Sequence, residues 1–206
     1  RYVLASQYQQ EPIALGGNLI QIDSFRKHDG KLQPWEDKIL TCDTAIKKGQ
    51  GNDYYVIQCW AKFANKAYLL DQVRGKWTLP EFVRVAAVFY KKHCTEQTEF
   101  PVSRFIIEEA GSGPGIMQAL GELGVPTEGI TRVKDKGSRI NDILPFVDSG
   151  MVFIPKEEDA PWIPEFLMEL SAFTQDDTHE HDDQVDAFSD GIAQLLGSGL
   201  SILDVL

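Results

Sequence analysis

The chain is poor in the residues that build sulfur-based sites. Its three cysteines, Cys42, Cys59 and Cys94, are widely spaced and form no C-x-x-C pair. That pattern argues against a disulfide framework and a structural zinc site, and it fits a reducing cytoplasm. Histidine is scarce, with four in 206 residues. No apolar run is long enough to span a bilayer and no signal peptide opens the chain, so no membrane association is expected. Positive charge is outnumbered: 20 Lys and Arg against 31 Asp and Glu give a formal net charge of −11. Proteins that coat nucleic acid indiscriminately are usually basic, so that class is disfavoured, although a local basic face beside an acidic centre is not excluded. A nucleotide-binding G-x-x-x-x-G-K-[ST] loop is missing too. The glycines at 111, 113 and 115 lack the Lys-Ser or Lys-Thr that would follow, so no ATP hydrolysis is expected of this chain.

Hydrophobic residues make up 43% of the chain, enough to build a core, and the length fits one domain with an arm. The start at Arg1, without an initiator Met, points to a piece of a longer protein. Residues 1–38 carry Pro12 and Gly16-Gly17 among short apolar stretches and are expected to form a connecting arm with one short hairpin at most, leaving 39–206 as the domain. From there the pattern sharpens. Segments 38–45, 54–63 and 66–75 are rich in β-branched and aromatic residues, and Ala64-Asn65 marks a tight hairpin, so three antiparallel strands in a row are expected. Segment 78–94 has helical spacing, with Thr78 and Glu81 as a capping box and Pro80 in the first turn. A strand within 103–113, a helix at 113–123, a strand at 129–133, a helix at 138–150, a strand at 151–155 and helices at 161–173 and 182–196 complete the order. Strands followed by alternating helix and strand imply a mixed sheet with helices on both faces, the order of a ribonuclease H-like fold.

The carboxylates fall at the ends of these elements. Asp43 closes the first core strand, Glu108 and Glu109 close the strand after the first helix, and "HDDQVDAF" (181–188) opens the last helix with Asp182, Asp183 and Asp186. The amide dipoles at a helix start favour acidic residues, which accounts for one or two of those three aspartates but not for the acids at Asp176, Asp177 and Glu180 before them. If the first strand and the 103–109 strand are parallel neighbours, Asp43 and Glu108 end side by side, outside the carboxyl ends of strands where ligands gather. Crowded acids raise one another's pKa, and a divalent cation removes the penalty. Hard cations such as Mg²⁺ and Mn²⁺ take oxygen ligands, and two of them roughly 4 Å apart promote phosphodiester cleavage. Asp43, Glu108, Asp182 and Asp183 are therefore the candidate metal ligands. Strand alternation points only one glutamate of the pair at the site, and Glu108 is the one favoured. Asp186 is expected to support the site from behind or to solvate its helix face, and Asp53 to form a turn. His179-Glu180-His181 lacks a third partner for zinc.

Together these residues resemble the C-terminal nuclease part of the large terminase subunit of tailed bacteriophages, over nearly the whole chain. "QYQQEPIALGGNLI" (7–20) resembles the segment that leads out of that family's ATPase domain. "TCDTAIKKGQGNDYYVI" resembles its first acidic motif, "FIIEEAGSG" its second and "HEHDDQVDAFSDGI" its third, with Asp43, Glu108 and Asp183 as the implied catalytic residues and Asp182 beside them. "VKDKGSRI" and "SGMVFIP" resemble the stretch between the second and third motifs. The resemblance implies a phage-encoded endonuclease in the host cytoplasm that uses two Mg²⁺ or Mn²⁺ ions to cut concatemeric double-stranded DNA during packaging. The motor half, the small subunit and the portal would be partners of the full-length protein. Substrate contact needs positive charge, and Lys47, Lys48, Arg132, Lys134, Lys136 and Arg139 are the candidate phosphate contacts. Two other classes compete: a Holliday-junction resolvase or transposase-like nuclease on the same fold, and a docking module for portal or capsid. The acidic surface and the apolar tail "LSILDVL" (200–206) are compatible with docking.

Overall fold

The structure, a computed structural model, describes residues 19–31, 34–44, 54–94, 99–174 and 183–197. Seven strands form one mixed sheet: β1 (Arg26–His28), β2 (Asp37–Asp43), β3 (Tyr55–Phe63), β4 (Lys66–Gly75), β5 (Arg104–Glu108), β6 (Glu128–Ile130) and β7 (Val152–Pro155). Their spatial order is β1-β7-β4-β3-β2-β5-β6. β2, β3 and β4 are antiparallel, whereas β5 and β6 extend one side and β7 and β1 the other in parallel. The helices among the described residues are α1 (Leu79–His93), α2 (Gly113–Glu122), α3 (Lys136–Asp148), α4 (Ile163–Ala172) and α5 (Asp183–Leu196). This is the expected ribonuclease H-like α/β arrangement.

Local chemistry explains several of these elements. The β3–β4 turn places Ala64 and Asn65 at φ 48° and 56°, the left-handed pair that a two-residue hairpin matching strand twist requires. At the start of α1, the Glu81 carboxylate accepts from Thr78 N at 2.8 Å and from its Oγ1 at 2.7 Å. Asp135 caps α3 by accepting from Ser138 N at 2.9 Å.

Strand alternation divides the core in two. Leu40, Cys42, Phe105 and Ile107 face α1 and α2. Ile39, Trp60, Leu69 and Ile106 face α3, α4 and α5. Asp43 continues the Ile39–Thr41 face and Glu108 the Ile106 face, so both acids turn toward α5. α5 is buried along most of its length and is anchored by Phe188, whose ring meets Phe25, Trp60 and Phe166. Gly191 permits that close approach, because a Cβ there would collide with the Trp60 indole. Thr41 Oγ1 also donates to the Ala187 carbonyl at 2.8 Å, fixing α5 against β2.

The segment expected to be an arm contributes to this fold from Leu19 onward. Ile20 and Phe25 are buried in the core, and Arg26–His28 pairs in parallel with β7. A strand of three residues is too short to show a period, so pattern reading passed over it.

Candidate active site

Three parallel strands end at one edge. The β2–β5 register runs to Cys42↔Ile107, which leaves Asp43 and Glu108 next in line. Glu108 is paired across to Ile130, the last residue of β6. Arg132 follows two residues later and turns back over the strand ends. Its Nη1 donates to Asp43 Oδ1 at 3.2 Å and to Glu108 Oε2 at 2.8 Å, and its Nη2 to Asp190 Oδ2 at 2.6 Å. Asp186 Oδ2 lies 3.8 Å from Arg132 Nη1, 2.8 Å from Lys136 Nζ, and its other oxygen accepts from Arg139 Nη2 at 2.5 Å. Asp183, Asp186 and Asp190 are all buried on α5.

The structure thus brings Asp43 and Glu108 together through Arg132, and Asp183 is close enough to Asp43 to raise its pKa. Glu109 turns the other way, accepting from Thr131 Oγ1 at 3.3 Å. Asp182, Lys47, Lys48, Asp53 and the 179–181 stretch lie outside the described residues. Of the candidate phosphate contacts, Lys134 is exposed and pairs with Asp142. Arg132, Lys136 and Arg139 are largely buried and turned onto the acids. The acids outnumber the bases at the strand ends, and buried carboxylates draw in whatever cations the chain offers nearby.

Sequence reading missed Asp190, although the signal was present. Asp183, Asp186 and Asp190 recur at the three- and four-residue steps of one helix face. It also missed Glu169, which belongs to a buried polar network behind the site. Glu169 Oε1 accepts from the Gln184 backbone N at 2.7 Å and Oε2 from its side chain at 2.6 Å. Gln72 Nε2 donates to Gln184 Oε1 at 2.7 Å, Gln58 Nε2 donates to Gln72 Oε1 at 2.8 Å, and Trp60 Nε1 donates to Gln58 Oε1 at 3.0 Å. Glu169 so satisfies one of the free N–H groups at the start of α5, beside Asp183.

Electrostatics at the strand ends are unbalanced. Among the described residues, Asp43, Glu108, Asp183, Asp186 and Asp190 face Arg132, Lys136 and Arg139, five carboxylates against three cations. The Asp43 carboxyl is pushed well above the usual carboxylate range, by burial first and then by Asp186 and Asp183, against the pull of Arg132. Burial likewise raises Asp190, with Arg132 opposing. Burial works against the charge on Arg132, yet Asp190, Asp43 and Asp186 raise its pKa. Among the described residues, Asp43 Oδ2 is buried without a hydrogen-bond partner.

Among the described residues, no group of three His, Cys, Asp or Glu side chains is gathered tightly enough to hold a metal ion. The donor chemistry nevertheless fits a hard divalent cation. The site has oxygen donors, surplus negative charge and an unpartnered buried carboxylate oxygen, with a guanidinium standing between the acids.

A mixed sheet of this order, with helices on both faces and acids at its strand ends, is a ribonuclease H-like fold. Residues 40–195 match the family of terminase RNase H-like domains, and the chain belongs to that family. Solved structures share the fold. The large terminase from a thermophilic bacteriophage aligns with a TM-score of 0.65 at 13% identity, over 87% of this chain and 45% of that one. The large terminase nuclease from the thermophilic phage G20c, solved with bound magnesium, aligns with a TM-score of 0.60 at 16% identity, over 88% of this chain and 99% of that one. The same G20c nuclease with bound cobalt gives a TM-score of 0.60 at 14% identity, over 88% of this chain and 99% of that one. This chain spans less than half the length of the first of these terminases and nearly all of the G20c nuclease. No curated protein sequence matches it. Among the described residues, no helix is long and apolar enough to cross a membrane.

Proposed function

We propose that this chain is a metal-dependent DNA endonuclease, the nuclease of a phage large terminase that cuts concatemeric double-stranded DNA during genome packaging. The observation that carries the reading is the surplus of carboxylates, most of them buried, at the joined ends of β2, β5 and α5, with Asp43 Oδ2 left without a hydrogen-bond partner among the described residues. Folding alone has no use for such a cluster, whereas a divalent cation does. The G20c nuclease is known with magnesium and with cobalt, which supports a divalent requirement.

Asp43, Glu108 and Asp183 are the residues proposed to hold Mg²⁺ or Mn²⁺, two ions in all, with Asp182 beside them. Bound there, such ions supply Lewis acidity toward a phosphodiester. The chain's own contribution is positional. The β2–β5 register and the anchored start of α5 present the carboxylates from a rigid frame. Asp186 and Asp190 hold Arg132, Lys136 and Arg139 beside the carboxylates, and Lys136, Arg139, the exposed Lys134 and, once released from the acids, Arg132 would meet DNA phosphates. Lys47 and Lys48 are proposed to do the same. In a full-length protein the partners would be the packaging motor's ATPase half, the small subunit and the portal, and the setting the host cytoplasm.

Plasmid cleavage tests the reading. Supercoiled plasmid should be nicked and linearised with Mn²⁺ and spared with EDTA, and Asp43→Asn should abolish cutting. Failure to cut with any divalent ion would return the chain to the docking class. A strong preference for four-way junctions over plasmid would assign it to the resolvases.

A further inference from the structure

A cation already stands in the carboxylate cluster. Arg132 is almost wholly buried, and one edge of its guanidinium joins Asp43 on β2 to Glu108 on β5 while the other reaches Asp190 on α5. It therefore engages one oxygen of each carboxylate that a divalent ion between those strand ends would share. The arrangement is not a well-satisfied structural ion pair. Among the described residues, Arg132 Nε has no hydrogen-bond partner, and neither does Asp43 Oδ2 on the carboxylate that Arg132 grips. Nor is Arg132 set on a packed element. It lies in the connection between β6 and α3, where the next residue, Val133, is 91% exposed and contributes no apolar anchor.

We infer that Arg132 is a resident counter-cation that competes with divalent metal for Asp43 and Glu108. With no metal bound, the guanidinium neutralises the acids and holds the strand ends and α5 together. Metal entry favours its displacement, because a divalent ion on these carboxylates would repel the guanidinium at short range and compete with it for the same negative charge. Whatever Arg132 contributes to the metal-free fold is therefore subtracted from metal affinity, a coupling that runs both ways. A displaced guanidinium keeps the planar fork that pairs with phosphate, so the same movement would deliver Arg132 to the DNA backbone. The inference rests on the metal-dependent reading above, and its test keeps the two apart.

Calorimetric titration of Mn²⁺ into this chain and into Arg132→Gln measures the competition directly. Removing the competitor should tighten Mn²⁺ binding by about tenfold. The variant should also melt at a lower temperature without metal and show a larger rise when Mn²⁺ is added. Arg132→Lys, which keeps the charge but loses the fork, should fall between the two. Unchanged or weaker Mn²⁺ affinity in Arg132→Gln overturns the inference and leaves the nuclease reading standing. Absence of Mn²⁺ binding in the wild type removes that reading and the inference with it. Should Arg132→Gln fail to fold, NMR of the wild-type arginine Nε–H groups decides. Saturating Mg²⁺ should shift the Arg132 signal, and an unmoved signal overturns the inference.

Discussion

Two buried polar clusters share helix α5, and they are built in opposite ways. Behind the helix start, Trp60, Gln58, Gln72, Gln184 and Glu169 pass hydrogen bonds from one to the next, and the buried Glu169 charge is met by Arg74 Nη2 at 3.2 Å. None of the atoms of those five side chains is a buried orphan; only Arg74 Nε at the rim is. At the strand ends, by contrast, acids exceed bases among the described residues, where Asp43 Oδ2, Arg132 Nε and two Arg139 nitrogens are buried without hydrogen-bond partners. A satisfied network offsets its own desolvation and makes one arrangement of the chain specific. An over-acidic one does not, so its composition answers to something beyond folding. The first cluster sets where α5 begins, and the second uses that position.

The comparison predicts effects of different sign and size. Glu169→Ala should be the most damaging, because it leaves Gln184 N and the Gln184 amide without their acceptor and removes one of the two carboxylates that meet Arg74. A loss of about 3 kcal/mol is expected in urea denaturation, the same with or without Mn²⁺. A small loss would mean that the network is ornamental. Gly191→Ala pushes α5 off Trp60 and should cost about 2 kcal/mol. It should weaken Mn²⁺ binding as well, since it moves the acid-bearing helix from β2, and unchanged affinity in a destabilised variant would separate the helix from the site.

Asp43→Asn should act in the other direction. Asp43 binds its proton more tightly folded than unfolded, because burial and Asp186 raise its pKa. Its contribution to stability is therefore complete below the usual carboxylate range and is lost as pH rises through the raised value. Metal-free wild type should lose stability over that rise. The variant should lose less, and near neutral pH it should be about 1 kcal/mol the more stable while failing to cut DNA. Denaturation across acid to neutral pH in EDTA decides it, and a variant clearly less stable than wild type would mean that the Arg132 pair outweighs the burial and repulsion of the Asp43 charge. The smallest effect belongs to Lys134→Ala. Its pair with Asp142 is exposed, so stability should change by no more than about 0.5 kcal/mol. The salt dependence of DNA binding should nevertheless fall by roughly one phosphate contact.

Much of the framework could be read from residue order. The Thr78–Glu81 cap, the Ala64-Asn65 turn and the alternation that separates Glu108 from Glu109 are local signals, and each has the structure expected of it. Asp190 was legible too, since it extends a face already marked by Asp183 and Asp186. Other features carried no such mark. Arg132 reads as one more cation in a basic stretch, and nothing near it in sequence says that it will turn inward. Glu169 reads as one more acid on an amphipathic helix. β1 is too short to declare itself, and its partner β7 lies more than a hundred residues away.

By itself, then, the amino-acid order determined the succession of strands and helices and set acids at the ends of three of them. These follow from periods of two and 3.6 residues and from turn and cap chemistry, all of which act within a few neighbours. Only the tertiary structure decided which acids meet, that a guanidinium lies between them and that a polar network pins the helix behind them. Those outcomes depend on the sheet order β1-β7-β4-β3-β2-β5-β6, which brings together strand ends far apart along the chain, where charge and desolvation choose the partners.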